Sequence, residues 1–280
     1  MRKAKAFWEL TRLEHGFIYG LGVIAGVFIT LGYFDLRLSV FGFLTALFLQ
    51  ASAFALNDYF DYEVDMANRR LDRPLVRGDI QKNSALLASA ILAIPGFAFA
   101  YAVSFLAFLL ALAITLLGYA YDVKLKEYGI AGNIYIAFSM AAPFIFGSIV
   151  AGTPNIQIAV LSAIAFLSGI AREIMKGVED VEGDAIRNVR TVARIYGIRT
   201  AEKVSASLYL ISVILSLLVP AIPEYMDLKY FVPVLVCDYI LIDTARKLLY
   251  GVEKGEIRKL RKRTMIALFL GLIAFILGAT

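Results

Sequence analysis

The sequence predicts an all-α, polytopic membrane protein, and three observations carry that prediction. Of its 280 residues, 60% are hydrophobic and 18% are charged, with a mean hydropathy of +0.74. This composition is too apolar for an ordinary water-soluble domain. Apolar stretches long enough to cross roughly 30 Å of hydrocarbon as helices recur along the whole chain. The basic residues fall mainly in alternate connections, which is typical of a chain that crosses a bilayer repeatedly.

About nine spans are expected if each helix takes about 20 residues to cross the bilayer. They run over 17–34, 38–56, 85–103, 105–121, 131–150, 156–174, 204–219, 230–248 and 265–279. The connections at 104 and 152–157 are short, whereas those near 57–83 and 172–203 are long and polar. No polar segment is long enough to fold alone, so residues 1–280 are expected to form a single transmembrane domain.

The distribution of basic residues predicts the orientation of the chain in the cell membrane. If the N-terminus is cytoplasmic, all Lys and Arg residues except Arg37 and Lys229 fall on that side or at the adjoining helix ends. The N-terminus and both long connections are therefore expected to face the cytoplasm. Membrane topology accounts for the net charge of +5, so no nucleic-acid partner is expected. The first twelve residues include Trp8 and precede a full-length span, which argues against a cleavable signal.

The first long connection opens with acidic residues at helical spacing. Asn57, Asp61 and Asp65 recur at i, i+4 and i+8, and Asp58 lies one step round the helix. Carboxylates this close repel one another, and the cost rises where a helix leaves the hydrocarbon. With one cysteine and one histidine in the chain, a metal site here must use oxygen ligands. Such ligands favour Mg²⁺, and the simpler alternative is a solvated acidic helix end.

A second acidic segment follows the sixth span. Asp180 and Asp184 are at i and i+4, and Glu173 and Lys176 precede them at helical spacing. Two acidic helix ends that face one cavity are suited to hold a diphosphate through bridging metal ions. The pair of segments, at the same depth on the same side, is stronger evidence for this chemistry than either segment alone.

Basic residues close to both acidic segments are candidates for binding phosphate oxygens. Arginine presents a fork that matches phosphate geometry, and lysine supplies a point charge for a leaving group. The alternative role for any one of them is a topology anchor. The candidates are Arg69, Arg70, Arg73 and Arg77 after the first segment, Lys124 and Lys126 after the fourth span, and Arg172 and Lys176 in the second segment.

These motifs resemble those of a known family. The segments 57–65 (Asn-Asp-x-x-Asp-x-x-x-Asp) and 180–184 (Asp-x-x-x-Asp) resemble the two signature motifs of the UbiA-type intramembrane prenyltransferase superfamily. The segment 121–126 (Tyr-Asp-Val-Lys-Leu-Lys) is similar to the Tyr/Lys loop after the fourth helix of that family. The resemblance covers essentially the whole chain.

The resemblance implies a helical bundle around a central cavity that opens to the cytoplasm and to lipid. It implies Mg²⁺-assisted ionisation of a prenyl diphosphate to an allylic cation, which then alkylates a lipophilic acceptor inside the membrane lipid. The implied metal ligands are Asp58, Asp61, Asp65, Asp180 and Asp184. The implied catalytic residues are Asp61, Asp65, Tyr121, Lys124 and Lys126, and the implied substrate contacts are Asn57, Arg12, Arg69, Arg73, Arg172 and Lys176.

Within the superfamily, residues 61–75 and 172–184 are similar to the archaeal lipid branch. That branch transfers a geranylgeranyl group to geranylgeranylglyceryl phosphate. The chain departs from the pattern at Gly177, where the family usually has Asp, and at 13–15 (Leu-Glu-His), where it usually has Asn in the first helix. The acceptor therefore stays open between a glycerol-phosphate lipid and an aromatic quinone precursor.

Two readings from another class also remain open at this point. Intramembrane acids mark ion pathways in transporters, and Asp238 and Asp243 of the eighth predicted span are the suspects. A non-catalytic prenyl-lipid binder would share the same helices without turnover. The acids that carry the motifs lie at helix ends rather than at the midplane, which favours the enzyme.

Overall fold

A computed structural model describes residues 2–152, 154–182 and 189–280. The regular structure of these residues is helical, as the sequence predicts. The helices in chain order are α1 (Arg2–Thr11), α2 (Leu13–Leu31), α3 (Leu36–Ala67), α4 (Lys82–Val103), α5 (Phe105–Val123), α6 (Ile130–Ala151), α7 (Ile156–Glu179), α8 (Val192–Tyr196), α9 (Ile198–Leu218), α10 (Leu228–Tyr250) and α11 (Lys254–Gly278). Short 3₁₀ turns occupy Leu125–Tyr128, Val219–Ala221 and Pro223–Tyr225.

The long helices make this a multi-pass membrane protein. Within the described residues, seven segments, α2 to α7 and Ile198–Ala221, are long and apolar enough to cross a bilayer. Helix α10 is long enough but carries Asp238 and Asp243, and the first half of α11 is strongly basic. Both of these helices correspond to predicted spans, so the count of nine remains a prediction.

Local sequence signals fix several helix ends. Asp35 accepts a hydrogen bond from the backbone N–H of Leu38 at 2.8 Å and so begins α3. The near-junction predicted at residue 104 is confirmed, because Ser104 alone separates α4 from α5 and caps α5 through the N–H of Ala107 at 3.0 Å. An extended backbone at this one residue turns the chain from one helix into the next.

Helix α3 positions the first acidic segment. Its 32 residues give a length of about 48 Å, more than the roughly 30 Å of a hydrocarbon core. The helix ends at Ala67, so the acids at 57–65 lie on its last turns and the irregular connection begins only at Asn68. The connection predicted at 57–83 thus starts later than expected, because α3 continues as a helix through the acidic segment to Ala67.

The chain divides into two compact units. The first comprises Met1–Val27, Phe34–Lys124 and Phe146–Thr153, and here α3 packs against α1, α4 and α5. The hydroxyl of Ser52 lies 2.8 Å from the Ser89 carbonyl oxygen and 3.0 Å from its hydroxyl, which joins α3 to α4. Small and hydroxyl-bearing residues at such contacts are typical of helix packing in membranes.

The second unit comprises Phe28–Tyr33, Leu125–Ile145 and Pro154–Thr280. Its main core lies among α7, α9, α10 and α11 and includes Met175, Tyr209 and Leu241. A second core contains the aromatic residues Tyr225, Tyr230 and Phe275. The prediction of a single domain over 1–280 remains a prediction.

Candidate functional site

The last turns of α3 gather the first group of predicted site residues. Asp58 and Asp65 are buried, and Asn57 and Asp61 are partly buried. All four are on one continuous helix, which confirms the helical spacing read from the sequence. Burying carboxylates requires compensation by cations or hydrogen-bond donors, so their partners determine what the site can bind.

Asp58 is held by two arginines that are distant in sequence. Its Oδ1 accepts from Arg12 at 2.5 Å and from Arg73 at 3.1 Å. The other oxygen, Oδ2, is buried and accepts no hydrogen bond. Two predicted substrate-binding residues therefore contact a predicted metal ligand, and one carboxylate oxygen remains available to a cation or a donor.

Asp65 is the second acid of a group of paired charges, Asp58, Asp65, Arg12 and Arg73, which we call the ionic cluster. Arg73 Nε lies 3.4 Å from its Oδ2, and Arg70 Nη1 lies 3.6 Å from its Oδ1. Arg70 also donates to Asp72 at 2.7 Å, and this hydrogen bond keeps the pKa of the Asp72 carboxyl below its ordinary value. Arginine thus alternates with acid across the helix end and the loop after it, and the positive charges balance the carboxylates.

The backbone conformation of Arg12 places its side chain at this cluster. Arg12 is the single residue between α1 and α2 and has a φ of 43°, a left-handed value that non-glycine residues seldom adopt. Its guanidinium lies 4.5 Å from the centre of the Phe54 ring and reaches Asp58. Such strain persists where the surroundings hold it, and functional sites are a common place for it.

Asp122 is a site residue that the sequence reasoning missed. It is buried near the end of α5, and its Oδ1 accepts from Asn57 Nδ2 at 2.8 Å. The signal that was available was an acid inside the last turn of an apolar span. The family resemblance assigned a catalytic role to the neighbouring Tyr121 and no role to Asp122.

The structure locates the remaining members of the predicted Tyr/Lys segment individually. Tyr121 is partly buried on α5, and Lys124 caps the C-terminus of that helix with an exposed side chain. Lys126 is partly buried in the 3₁₀ turn Leu125–Tyr128, which belongs to the second unit. Arg69 is exposed in the loop after α3 and has a φ of 51°. Their catalytic and binding roles remain predictions.

The second acidic segment lies at the C-terminus of α7. The helix ends at Glu179, and the N–H of Asp180 bonds the carbonyl of Lys176 at 2.9 Å, so Asp180 is a cap and not a mid-helix residue. Glu179, which was not singled out from the sequence, accepts from Arg261 at 2.6 Å and Arg258 at 3.1 Å. Asp184, the partner predicted for Asp180, lies outside the described residues.

Arg172 and Lys176 differ in their surroundings. The Arg172 guanidinium donates to the carbonyl of Arg261 at 2.7 Å and to the Thr264 hydroxyl at 3.1 Å, which ties α7 to α11. Lys176 is exposed and lies 3.7 Å from Glu173. Arg172 thus has a structural contact in addition to its predicted role with substrate, whereas the Lys176 ammonium is accessible.

Gly177, where the chain departs from the family pattern, lies against Thr191. Gly177 is buried, and a Cβ built there would lie 3.3 Å from the Cβ of Thr191. This distance is shorter than an ordinary van der Waals contact, so a side chain at position 177 would require Thr191 to move by a few tenths of an ångström.

The acids suspected in the transporter reading have structural partners. Asp238 is buried in α10, and its Oδ2 accepts from the Ser216 hydroxyl at 2.8 Å. Asp243 accepts from Arg263 at 2.8 Å and from Arg246 at 3.0 Å. Salt bridges and interhelical hydrogen bonds of this kind hold helices together in membranes.

The donor set on α3 fits a hard cation such as Mg²⁺. Asn57, Asp58, Asp61 and Asp65 offer oxygen ligands, and the buried Oδ2 of Asp58 is without a hydrogen bond. In the described part of the chain, no three acidic side chains are gathered closely enough to hold one ion. Mg²⁺ in proteins usually takes one or two carboxylates and completes its shell with water and substrate phosphate.

Comparison with known proteins identifies the family of the chain. The model of the UbiA prenyltransferase family matches residues 20–273. A curated digeranylgeranylglyceryl phosphate synthase of Archaeoglobus fulgidus is 52% identical over 99% of this chain and 96% of its own length. A second synthase of the same name, from Thermococcus sibiricus, is 34% identical over 98% of this chain and 97% of its own.

Solved structures show the same fold. One, from a study of digeranylgeranylglyceryl phosphate synthase in membranes, has a TM-score of 0.86 and 31% identity, and covers 100% of this chain and 99% of its own. A UbiA homolog from Archaeoglobus fulgidus bound to GPP and Mg²⁺ has a TM-score of 0.69 and 21% identity, with 98% and 100% covered. The fold, the motifs and the family model agree, and the chain belongs to the UbiA prenyltransferase family.

Proposed function

We propose that this protein transfers a geranylgeranyl group from geranylgeranyl diphosphate to the free hydroxyl of geranylgeranylglyceryl phosphate. The bond between the allylic carbon and the diphosphate oxygen breaks, and its electron pair leaves with the diphosphate. The acceptor oxygen forms a new ether bond to that carbon and loses its proton. The product is digeranylgeranylglyceryl phosphate, the compound for which the curated relatives are named.

The ionic cluster at the end of α3 is the main structural support for prenyl transfer from a diphosphate. Two buried acids and two arginines lie within one group at the end of a membrane helix, and an Asp58 oxygen is available. Such a group is suited to an anionic ligand that arrives with a metal ion. The acceptor assignment rests on the close relationship to the archaeal synthases, of which one is 52% identical.

Individual residues have distinct proposed roles. Asp58, Asp61 and Asp65 are the proposed Mg²⁺ ligands of the first segment, and Asp180 and Asp184 are those of the second. Each bound ion would take one or two of these carboxylates. When bound, Mg²⁺ neutralises charge that develops on the departing diphosphate. Asn57, Arg12, Arg69 and Arg73 contact the diphosphate, and Lys124 and Lys126 stabilise the same developing charge. The ring of Tyr121 stabilises the allylic cation through its π face.

A phosphorylated acceptor brings a second anion, which needs basic residues beyond those that hold the diphosphate. Arg172 and Lys176 are proposed for this phosphate. The exposed Lys176 ammonium is available to it, and Arg172 adds positive charge while its contacts with Arg261 and Thr264 hold the helix in place. An aromatic acceptor would need fewer charges and more stacking surface.

The function is tested by turnover of labelled geranylgeranyl diphosphate by purified protein against a panel of acceptors. We expect an ether product with geranylgeranylglyceryl phosphate and none with a dihydroxynaphthoate or a hydroxybenzoate. Prenylation of an aromatic acid without reaction of the glycerol phosphate would replace the lipid assignment with the quinone reading. Binding of the diphosphate without turnover of any acceptor would indicate a prenyl-lipid binder.

Removal of divalent metal is expected to abolish binding of the prenyl diphosphate. The carboxylates on α3 repel a diphosphate unless a cation lies between them. The measurement is the affinity of purified protein for a non-hydrolysable prenyl diphosphate analogue, with Mg²⁺, with chelator, and with Mg²⁺ restored. Equal affinity in all three conditions would contradict the metal assignment.

The proposed orientation in the cell membrane has the N-terminus and both acidic segments in the cytoplasm. The native cysteine, Cys237, is buried, so introduced cysteines are reported against a low background. An impermeant thiol reagent added to intact cells is expected to label Pro154→Cys, in a predicted outward connection, and to spare Asn68→Cys. The reverse pattern would contradict the orientation.

A further inference from the structure

Helix α1 has one face in the protein and another that the protein leaves uncovered. Ala6 and Leu10 are buried, and Leu10 packs in a small core with Ala55, Leu75 and Ala85. On the other side, Phe7 and Trp8 are 40% and 52% exposed. Lys3 and Lys5 are also exposed, and the Lys5 ammonium lies 3.8 Å from a carboxylate oxygen of Glu9. The uncovered side therefore combines aromatic and basic residues.

The position of α1 in the chain fixes its environment. Only Arg12 separates its last residue, Thr11, from α2, which begins at Leu13 and is apolar and long enough to span the bilayer. Helix α1 must consequently lie at the level where a membrane span begins. Tryptophan is enriched at this level because its ring sits among lipid headgroups, and lysine there is attracted to anionic lipid.

We infer that α1 is an interfacial helix that lies in the leaflet surface where α2 begins and binds anionic glycerophospholipid. Phe7 and Trp8 enter the boundary between headgroups and acyl chains, and Lys3 and Lys5 contact lipid phosphates. The charge of the lysines complements that of the lipid, and the covalent link to a span keeps the helix at the interface. Amphipathic helices with this composition bury their apolar side about 5–10 Å into the boundary.

Helix α1 is also tied to the ionic cluster on α3. Glu9 forms an ion pair with Arg77, which contacts Asp79 at 2.8 Å in the loop after α3. At the end of α1, Arg12 reaches Asp58 at 2.5 Å. A helix held on the lipid surface thereby anchors the loop and the arginine that face the acids. This coupling makes Arg12 a residue positioned in part by the membrane.

Trp8 is the only tryptophan in the protein, so its fluorescence reports the location of α1 directly. The experiment reconstitutes the full chain in phosphatidylcholine vesicles whose acyl chains carry bromine at a series of depths. We expect bromine near the headgroups to quench most of the emission and bromine near the chain ends to quench little. Emission that is quenched by aqueous iodide and unaffected by any brominated lipid would overturn the inference.

Two single-tryptophan variants calibrate the depth scale. Trp8→Phe with Phe269→Trp places the probe on an exposed position of the apolar half of α11, and deep bromine should quench it. Trp8→Phe with Tyr196→Trp places it on an exposed residue at the end of α8, and iodide should quench it. If Trp8 behaves like the Tyr196→Trp probe, the interfacial location is wrong.

The charge of the lipid is tested in mixed vesicles in which only one lipid carries shallow bromine. Brominated phosphatidylglycerol is expected to quench Trp8 more than brominated phosphatidylcholine at the same content. In the Lys3→Gln/Lys5→Gln variant the two lipids should quench equally. The control Lys203→Gln changes an exposed lysine of α9 and should keep the difference between the two lipids. Equal quenching by both lipids in the unmodified protein would overturn the assignment of an anionic lipid.

Discussion

Replacing Asp61 with alanine is expected to lower the rate of prenyl transfer by roughly 10²–10³-fold, the usual loss when one preorganised electrostatic contact to the transition state is removed. Asp61 lies on the last turns of α3 between Asp58 and Asp65, where a carboxylate is proposed to hold Mg²⁺ against the diphosphate. The measurement is the turnover of labelled geranylgeranyl diphosphate at saturating Mg²⁺, with thermal stability recorded in parallel.

Glu63→Ala is the matched control for this change. Glu63 is on the same helix two residues away, its side chain is 76% exposed, and it pairs with Lys82 at 2.9 Å. The substitution removes the same charge outside the buried cluster, so near-normal turnover is expected. Similar rates for Asp61→Ala and the unmodified protein would show that the acidic motif is not catalytic. Equal losses in both variants would point to the overall charge of the helix end and not to a specific ligand.

Replacing Arg12 with methionine is expected to destabilise the protein by about 1.5–3 kcal/mol, because the buried Asp58 carboxylate loses one of its two charge-assisted hydrogen bonds from arginine. The Asp58 side chain is 1% exposed and the Arg12 side chain 17%, so water cannot replace the lost contact. Arg73 would remain the cation nearest to Asp58. The measurement is the unfolding temperature of the purified protein in detergent or nanodiscs.

Two further variants separate this effect from a general loss of charge. Arg70→Met removes an arginine whose side chain is 43% exposed and which pairs with the exposed Asp72, so a change of at most about 1 kcal/mol is expected. Adding Asp58→Asn to Arg12→Met removes the buried charge that has lost one of its two arginine partners, and it should restore part of the lost stability. Equal shifts for Arg12→Met and Arg70→Met would contradict the buried ion pair.

The sequence by itself determined the membrane class, the helical character of the chain and the positions of the motif acids along a helix. These properties depend on residues that are close in sequence. The length of an apolar stretch indicates a membrane span, and acids at i and i+4 indicate one side of a helix. Asp58, Asp61 and Asp65 could therefore be placed on one helix before any coordinates. The family motifs added the reaction class for the same reason, because their residues are close in sequence.

Residue pairing was decided only by the tertiary structure. Arg12 and Asp58 are 46 residues apart, and Asn57 and Asp122 are 65 apart. Periodicity within one helix carries no information about which distant helix packs beside it. The sequence therefore could not assign a partner to any of the basic candidates. In the fold, Arg12 and Arg73 bind Asp58, and Arg172 donates to the backbone of α11. Helix packing brings these groups together, and the cost of burying an unpaired charge selects the partners that remain.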